Sequence, residues 1–77
     1  MINKSLEYYM SLHYHVEVWQ EEDDTAWFAS VPDLPGVMTH AEQWGDLEAM
    51  VEDAKRTWFT SRLKRGWDIP LPSRKTA

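Results

Sequence analysis

The spacing of apolar positions changes period along this chain, and each change predicts an element. Between Lys4 and Leu12, Leu6, Tyr9 and Met10 recur at helical spacing with Leu12 trailing, which predicts a short N-terminal helix within residues 1–12. From His13 to Gln20 the pattern alternates. Tyr14, Val16 and Val18 point one way, while His13, His15, Glu17 and Trp19 point the other, as in a half-buried strand. Glu21-Glu22-Asp23-Asp24 predicts a charged hairpin loop, and Ala26–Val31 returns antiparallel. Val37–Ala41 supplies a third strand, so residues 13–41 read as a three-stranded meander.

The second and third runs meet at Val31-Pro32-Asp33-Leu34-Pro35-Gly36. Each proline fixes its own φ near −65° and drives the residue before it, Val31 or Leu34, into extended geometry. Gly36 supplies the position where φ turns positive without a Cβ clash. A stiff corner is expected, with Asp33 and Leu34 presented outward. Leu34 has two readings, an apolar anchor with little entropy to lose or a side chain packed under its own turn.

A long helix is predicted over residues 44–65. Its start is weakly marked, because Gln43 is a poor N-cap, Asp46 a good one, and Gly45 sits between them. Leu47, Met50, Val51, Ala54, Trp58 and Ser61 fall on one stripe, which should cover the sheet. Acids crowd the first half and bases the second, the order that complements the helix dipole. Phe59 and Leu63 lie on the neighbouring flank. They meet either a segment folding back from Trp67–Leu71 or another chain, as an oligomer interface. Gly66 stops the helix, and residues 66–77 form a proline-rich extended tail with Ser73–Ala77 frayed.

Composition sharpens this picture. Seventy-seven residues allow one domain with a marginal core, and the absence of cysteine excludes a disulfide or thiolate staple. Five tryptophans, three tyrosines and two phenylalanines are a heavy aromatic load, so some apolar surface is expected to meet another chain. No run is long enough to span a membrane and no signal peptide is legible, which predicts a cytoplasmic protein. The net charge of −5 hides a division. Residues 1–54 hold 12 acids and one base, and residues 55–77 hold seven bases and one acid. The acidic front argues against nucleic acid as the main ligand and for a basic partner.

Catalytic and cofactor patterns are missing. There is no phosphate loop, no His-Glu-x-x-His and no cysteine nucleophile. His13 and His15 share a strand face with His40 within reach across the sheet, but no carboxylate or cysteine at matching spacing completes a zinc site. Asp33, Glu48 and Asp53 are the carboxylates that a two-metal nuclease would need. Glu48 and Asp53 diverge on the helix, being five residues apart. The expectation is no enzyme, no cofactor and no metal.

The order of these pieces resembles the HicB-like antitoxins of bacterial toxin–antitoxin systems. The resemblance runs from about Tyr8 to Pro72. It is carried by Ala29-Ser30-Val31-Pro32-Asp33-Leu34-Pro35-Gly36, by Asp53-Ala54-Lys55-Arg56 with Trp58, and by Gly66 with Ile69, Pro70 and Pro72. The sequence departs from the family pattern at Val37, usually cysteine, at Ala41-Glu42-Gln43 and Gly45, which weaken the helix start, and at Glu48, usually leucine. The resemblance implies an α+β fold, a three-stranded antiparallel meander packed on one long helix with a short N-terminal helix, as a partial, degraded RNase H-like arrangement. It also implies neutralisation of a HicA-type toxin, a small basic mRNA interferase, by direct binding. Many members add a C-terminal helix-turn-helix or ribbon-helix-helix domain; 77 residues leave no room for one, so promoter binding is not expected. Glu21, Glu22, Asp23, Asp24, Asp33 and Leu34 are the candidate partner contacts, and a free strand edge or the Phe59–Leu63 flank suggests a homodimer. The competing readings are an orphan regulatory or structural dimer and an RNase H-like metal-dependent nuclease.

Overall fold

A computed structural model describes residues 5–72. The elements follow in the order α1 (Leu6–Met10), β1 (Glu17–Gln20), β2 (Trp27–Ser30), β3 (Met38–Ala41) and α2 (Trp44–Arg65). The strands form an antiparallel sheet in the order β1-β2-β3. Val18, Ala29 and Thr39 stand side by side across it, as do Trp19, Phe28 and His40. The expected α+β meander with one long helix is the observed fold. The strands are shorter than the alternating runs that predicted them, since Tyr14 and Val16 precede β1 and belong to no strand. The expected frayed end, 73–77, lies outside the described residues.

α2 begins as the sequence suggests it must. Gln43 is extended and gives no side-chain cap, so the first helical N–H groups lack a side-chain acceptor from that position. The other end is well closed. Gly66 adopts φ 71°, its N–H reaches the Leu63 carbonyl, and the Trp67 N–H reaches the Arg62 carbonyl. That is the paired cap that left-handed glycine permits. Arg62 then stacks on Trp58 at 4.4 Å and on Trp67 at 5.2 Å, folding the chain back over the last turn.

The buried face of α2 is Leu47, Val51, Lys55 and Phe59, a line rotated from the predicted stripe. Met50 is 41% exposed and Ser61 is exposed. Lys55 joins the buried line because its aliphatic stem lies along apolar surface while its ammonium meets Glu52 at 3.1 Å. Phe59 joins it because α1 packs on that flank. Phe59 contacts Tyr9 at 5.5 Å and Tyr14 at 5.8 Å between ring centroids, and is fully buried. The fold-back reading of this flank also holds, since Ile69 packs on the same cluster. Leu63 stays half-buried.

The tail is fixed by one strong bond. The Tyr14 hydroxyl donates to the Pro70 carbonyl at 2.6 Å, joining the start of the meander to the end of the described chain. Burial, with the neighbouring Tyr9, Asp33 and Tyr8, pushes the Tyr14 hydroxyl up to about 12. In the unfolded chain it ionises near 10, so this group's stabilising effect is complete below pH 10 and is lost as pH rises towards 12. Tyr14→Phe is expected to cost about 1 kcal/mol at neutral pH. It should also flatten the fall in stability between pH 10 and 12, as read by urea unfolding of both proteins across that range.

Candidate protein-binding surface

The proline corner is built by three backbone bonds. The Leu34 N–H reaches the Val31 carbonyl at 2.9 Å, the Val37 N–H reaches Leu34 at 3.0 Å, and the Val31 N–H reaches Val37 at 3.2 Å. Gly36 closes it at φ 94°. The Trp58 indole N–H donates to the Pro35 carbonyl at 2.8 Å, clasping the corner to α2. This geometry corrects the expectation for Leu34. Its side chain is turned inward and is 0% exposed, because two successive turns, closed by the Val31–Val37 bond, wind the corner around it. Packing under its own turn is therefore the reading the fold adopts, and an outward anchor is not available. Asp33 remains half-buried on the rim, where its charge acts on Tyr14. Phe59, being 0% exposed, leaves nothing for a second chain either.

The acidic hairpin is exposed at all four positions, Glu21 to Asp24. It is also held in shape. The Asp24 N–H closes a turn on the Glu21 carbonyl at 3.2 Å. The Asp24 carboxylate accepts from the Ala26 N–H at 3.0 Å, and Glu21 accepts from the Trp19 indole at 2.8 Å. Gln20 donates across the loop to the Thr25 carbonyl at 2.8 Å. Two acids thus build the loop, while Glu22 and Asp23 occupy the two central positions of the turn that the Glu21–Asp24 bond closes. A preformed acidic tip loses little entropy on meeting a basic surface.

Trp19 ties that tip to the open face of the sheet. It stacks on Phe28 at 5.9 Å, and Phe28 meets His40 at 5.7 Å, forming an aromatic row across all three strands. Met38, on the same face, is 63% exposed. α2 covers the opposite face, where Ala29, Val31, Val37 and Ala41 are buried. The sequence placed Trp19 on the polar face without foreseeing its stacking partner, because cross-strand register was not legible from alternation alone.

Carboxylates and histidines do not converge. Among the described residues no group of three histidine, aspartate or glutamate side chains is placed to hold a metal ion. Asp33 lies at the corner, while Glu48 and Asp53 lie on α2 with Glu48 beside the α1–β1 segment. No helix among the described residues is long and apolar enough to cross a membrane. Among the described residues the surface offers charge at the hairpin, an aromatic face and the edges of β1 and β3, the features of protein recognition.

Residues 14–76 match the family model described as HicB_like antitoxin of bacterial toxin-antitoxin system. The match takes in the meander, the corner and α2, and begins after α1. A comparison with curated proteins finds no match.

The corner carries a test of its own. A Cβ on Gly36 meets only the Trp58 indole, at 3.9 Å, so there is room for it, but φ 94° strains any L side chain. Gly36→Ala is expected to lower unfolding free energy by about 1–2 kcal/mol. Denaturant titration should show the loss with an unchanged slope.

Proposed function

The chain belongs to the HicB-like antitoxin family, and from that premise we propose that it neutralises a HicA-type mRNA interferase by direct protein–protein binding. The observation that carries this reading is the acidic hairpin, exposed at every position yet locked by its own hydrogen bonds. A toxin that works on RNA has to neutralise phosphates and is therefore basic. The front of this chain, with 12 acids against one base over residues 1–54, meets such a surface with opposite charge. Complementary potentials raise encounter rates and weaken as salt screens them.

The mode of action is coverage, without turnover. Glu21, Glu22, Asp23 and Asp24 steer the toxin in, and Asp33 adds charge from the corner. The meander and α2 act as a partial RNase H-like scaffold, with no carboxylate cluster placed to hold a metal among the described residues. The same reading makes this a cytoplasmic bacterial protein and a homodimer, with the second copy joined at a free strand edge in place of the buried Phe59.

Two measurements test it. The reading requires a small basic reading frame beside its gene, and co-expression with it is expected to restore growth that the toxin alone arrests. The lack of such a frame, or arrest that persists with both proteins present, would refute the pairing. Glu22→Lys with Asp23→Lys is expected to slow association about tenfold at low salt, with little change at high salt. Stopped-flow mixing reads that rate, and an unchanged value at low salt would remove the hairpin from the account.

A further inference from the structure

α2 lies over β2 and β3 and makes no approach to β1. A helix about 10 Å wide covers roughly two strands spaced about 4.8 Å apart. Among the described residues no helix therefore lies over the inner face of β1, and a groove of about 690 Å³ runs between α2 and the segment from Met10 to Tyr14. Val16 and Val18 form its floor, Leu47 and Val51 its wall, and Glu48 and Glu52 stand on its rim. Val18 is 40% exposed although its cross-strand neighbour Ala29, on the same face, is 1% exposed. The groove follows α2 from Trp44 to Lys55, about 16 Å at helical rise. Three turns of a guest helix, set 8–10 Å from α2 as packed helices are, would fill it and cover β1.

Charge selects among guests. Every lining residue except Lys55 comes from the acidic front of the chain. The Lys55 ammonium is already matched by Glu52 at 3.1 Å and its side chain is 6% exposed, so the exposed rim charge is Glu48. An apolar floor with an anionic rim fits an amphipathic helix that flanks its apolar stripe with lysine or arginine. α2 of a second copy is a poor guest, because its apolar line is already spent on its own sheet.

We propose that this groove receives a cationic amphipathic helix of the toxin partner, laid beside α2 over β1. The proposal rests on the antitoxin reading above and adds the surface that makes the complex tight, beyond the charges that make it fast. It separates two roles: the hairpin governs association rate and the groove governs dissociation rate.

The experiment measures binding of the full chain to the toxin encoded beside its gene, recovered from the co-expressed complex. Val18→Lys is expected to weaken the complex about 30-fold or more and Glu48→Lys about tenfold, both through faster dissociation. Thr57→Lys, the same change of charge as Val18→Lys but on the exposed outer side of α2, should stay within about threefold. Circular dichroism checks that each variant keeps the fold, which the exposure of Val18 and Glu48 favours. Unchanged affinity in Val18→Lys would overturn the groove while leaving the antitoxin reading intact. No complex with the unaltered chain would overturn both. A dimer of the chain alone that Val18→Lys and Glu48→Lys each dissociate, by sedimentation, would place a second copy in the groove rather than on the strand edge and also overturn the proposal.

Discussion

One helix cannot roof three strands, and this shortage governs the molecule. The sheet offers an inner face three strands wide, and α2 reaches across only β2 and β3. Which strand stays bare is decided by the proline corner. It leads from β2 into β3 and is clasped to α2 through the Trp58 indole on the Pro35 carbonyl. That bond draws the helix towards the corner. Leu34, Val31 and Phe59, the largest fully buried side chains, fill the space beneath it. The core is thus small and gathered at one side, as expected where a short chain buries only about 60–65% of its unfolded surface.

The rest of the chain compensates for that lopsided core. α1 contributes Tyr9 to Phe59, the Pro70 carbonyl takes the Tyr14 hydroxyl, and Ile69 returns onto the cluster. Each contact ties a chain end to the same centre. None reaches the inner face at Val18 or the tip at Glu22 and Asp23. The contacts that stabilise the fold and the surface proposed for recognition are therefore separated in space. Substitutions at the bare edge touch few of the contacts that hold the fold, so that side is free to be shaped by a partner.

Much of this was legible in the sequence. Alternation through Val18 and Trp19 marked β1 but started it too early at Tyr14 and Val16, while the prolines and Gly36 marked the corner and Gly66 the end of α2, because each rests on a local backbone rule. What escaped was set by tertiary packing. Phe59 sat outside the helical stripe because α1, five helical residues that are marginal alone, supplies the surface it needs. Lys55 was counted with the basic half, yet its stem is core and its charge belongs to Glu52. Leu34 was turned outward on a corner that instead wraps it. Of the partner-contact candidates, the hairpin acids stand where the alternation put them. The groove depends on which two strands α2 covers, and no local pattern encodes that.

The physical picture is of an acidic scaffold whose own core is finished on one side and unfinished on the other. On the proposed reading, such a chain acts by being completed against its partner. Its family membership supplies the class of partner, a toxin. The most direct measurement is a titration of toxin-driven RNA cleavage with the purified chain. Cleavage should fall linearly and stop at a fixed stoichiometric ratio, recovering as salt rises and the complex loosens. Cleavage that continues with the chain in large excess, or RNA cleaved by the chain alone, would contradict the account.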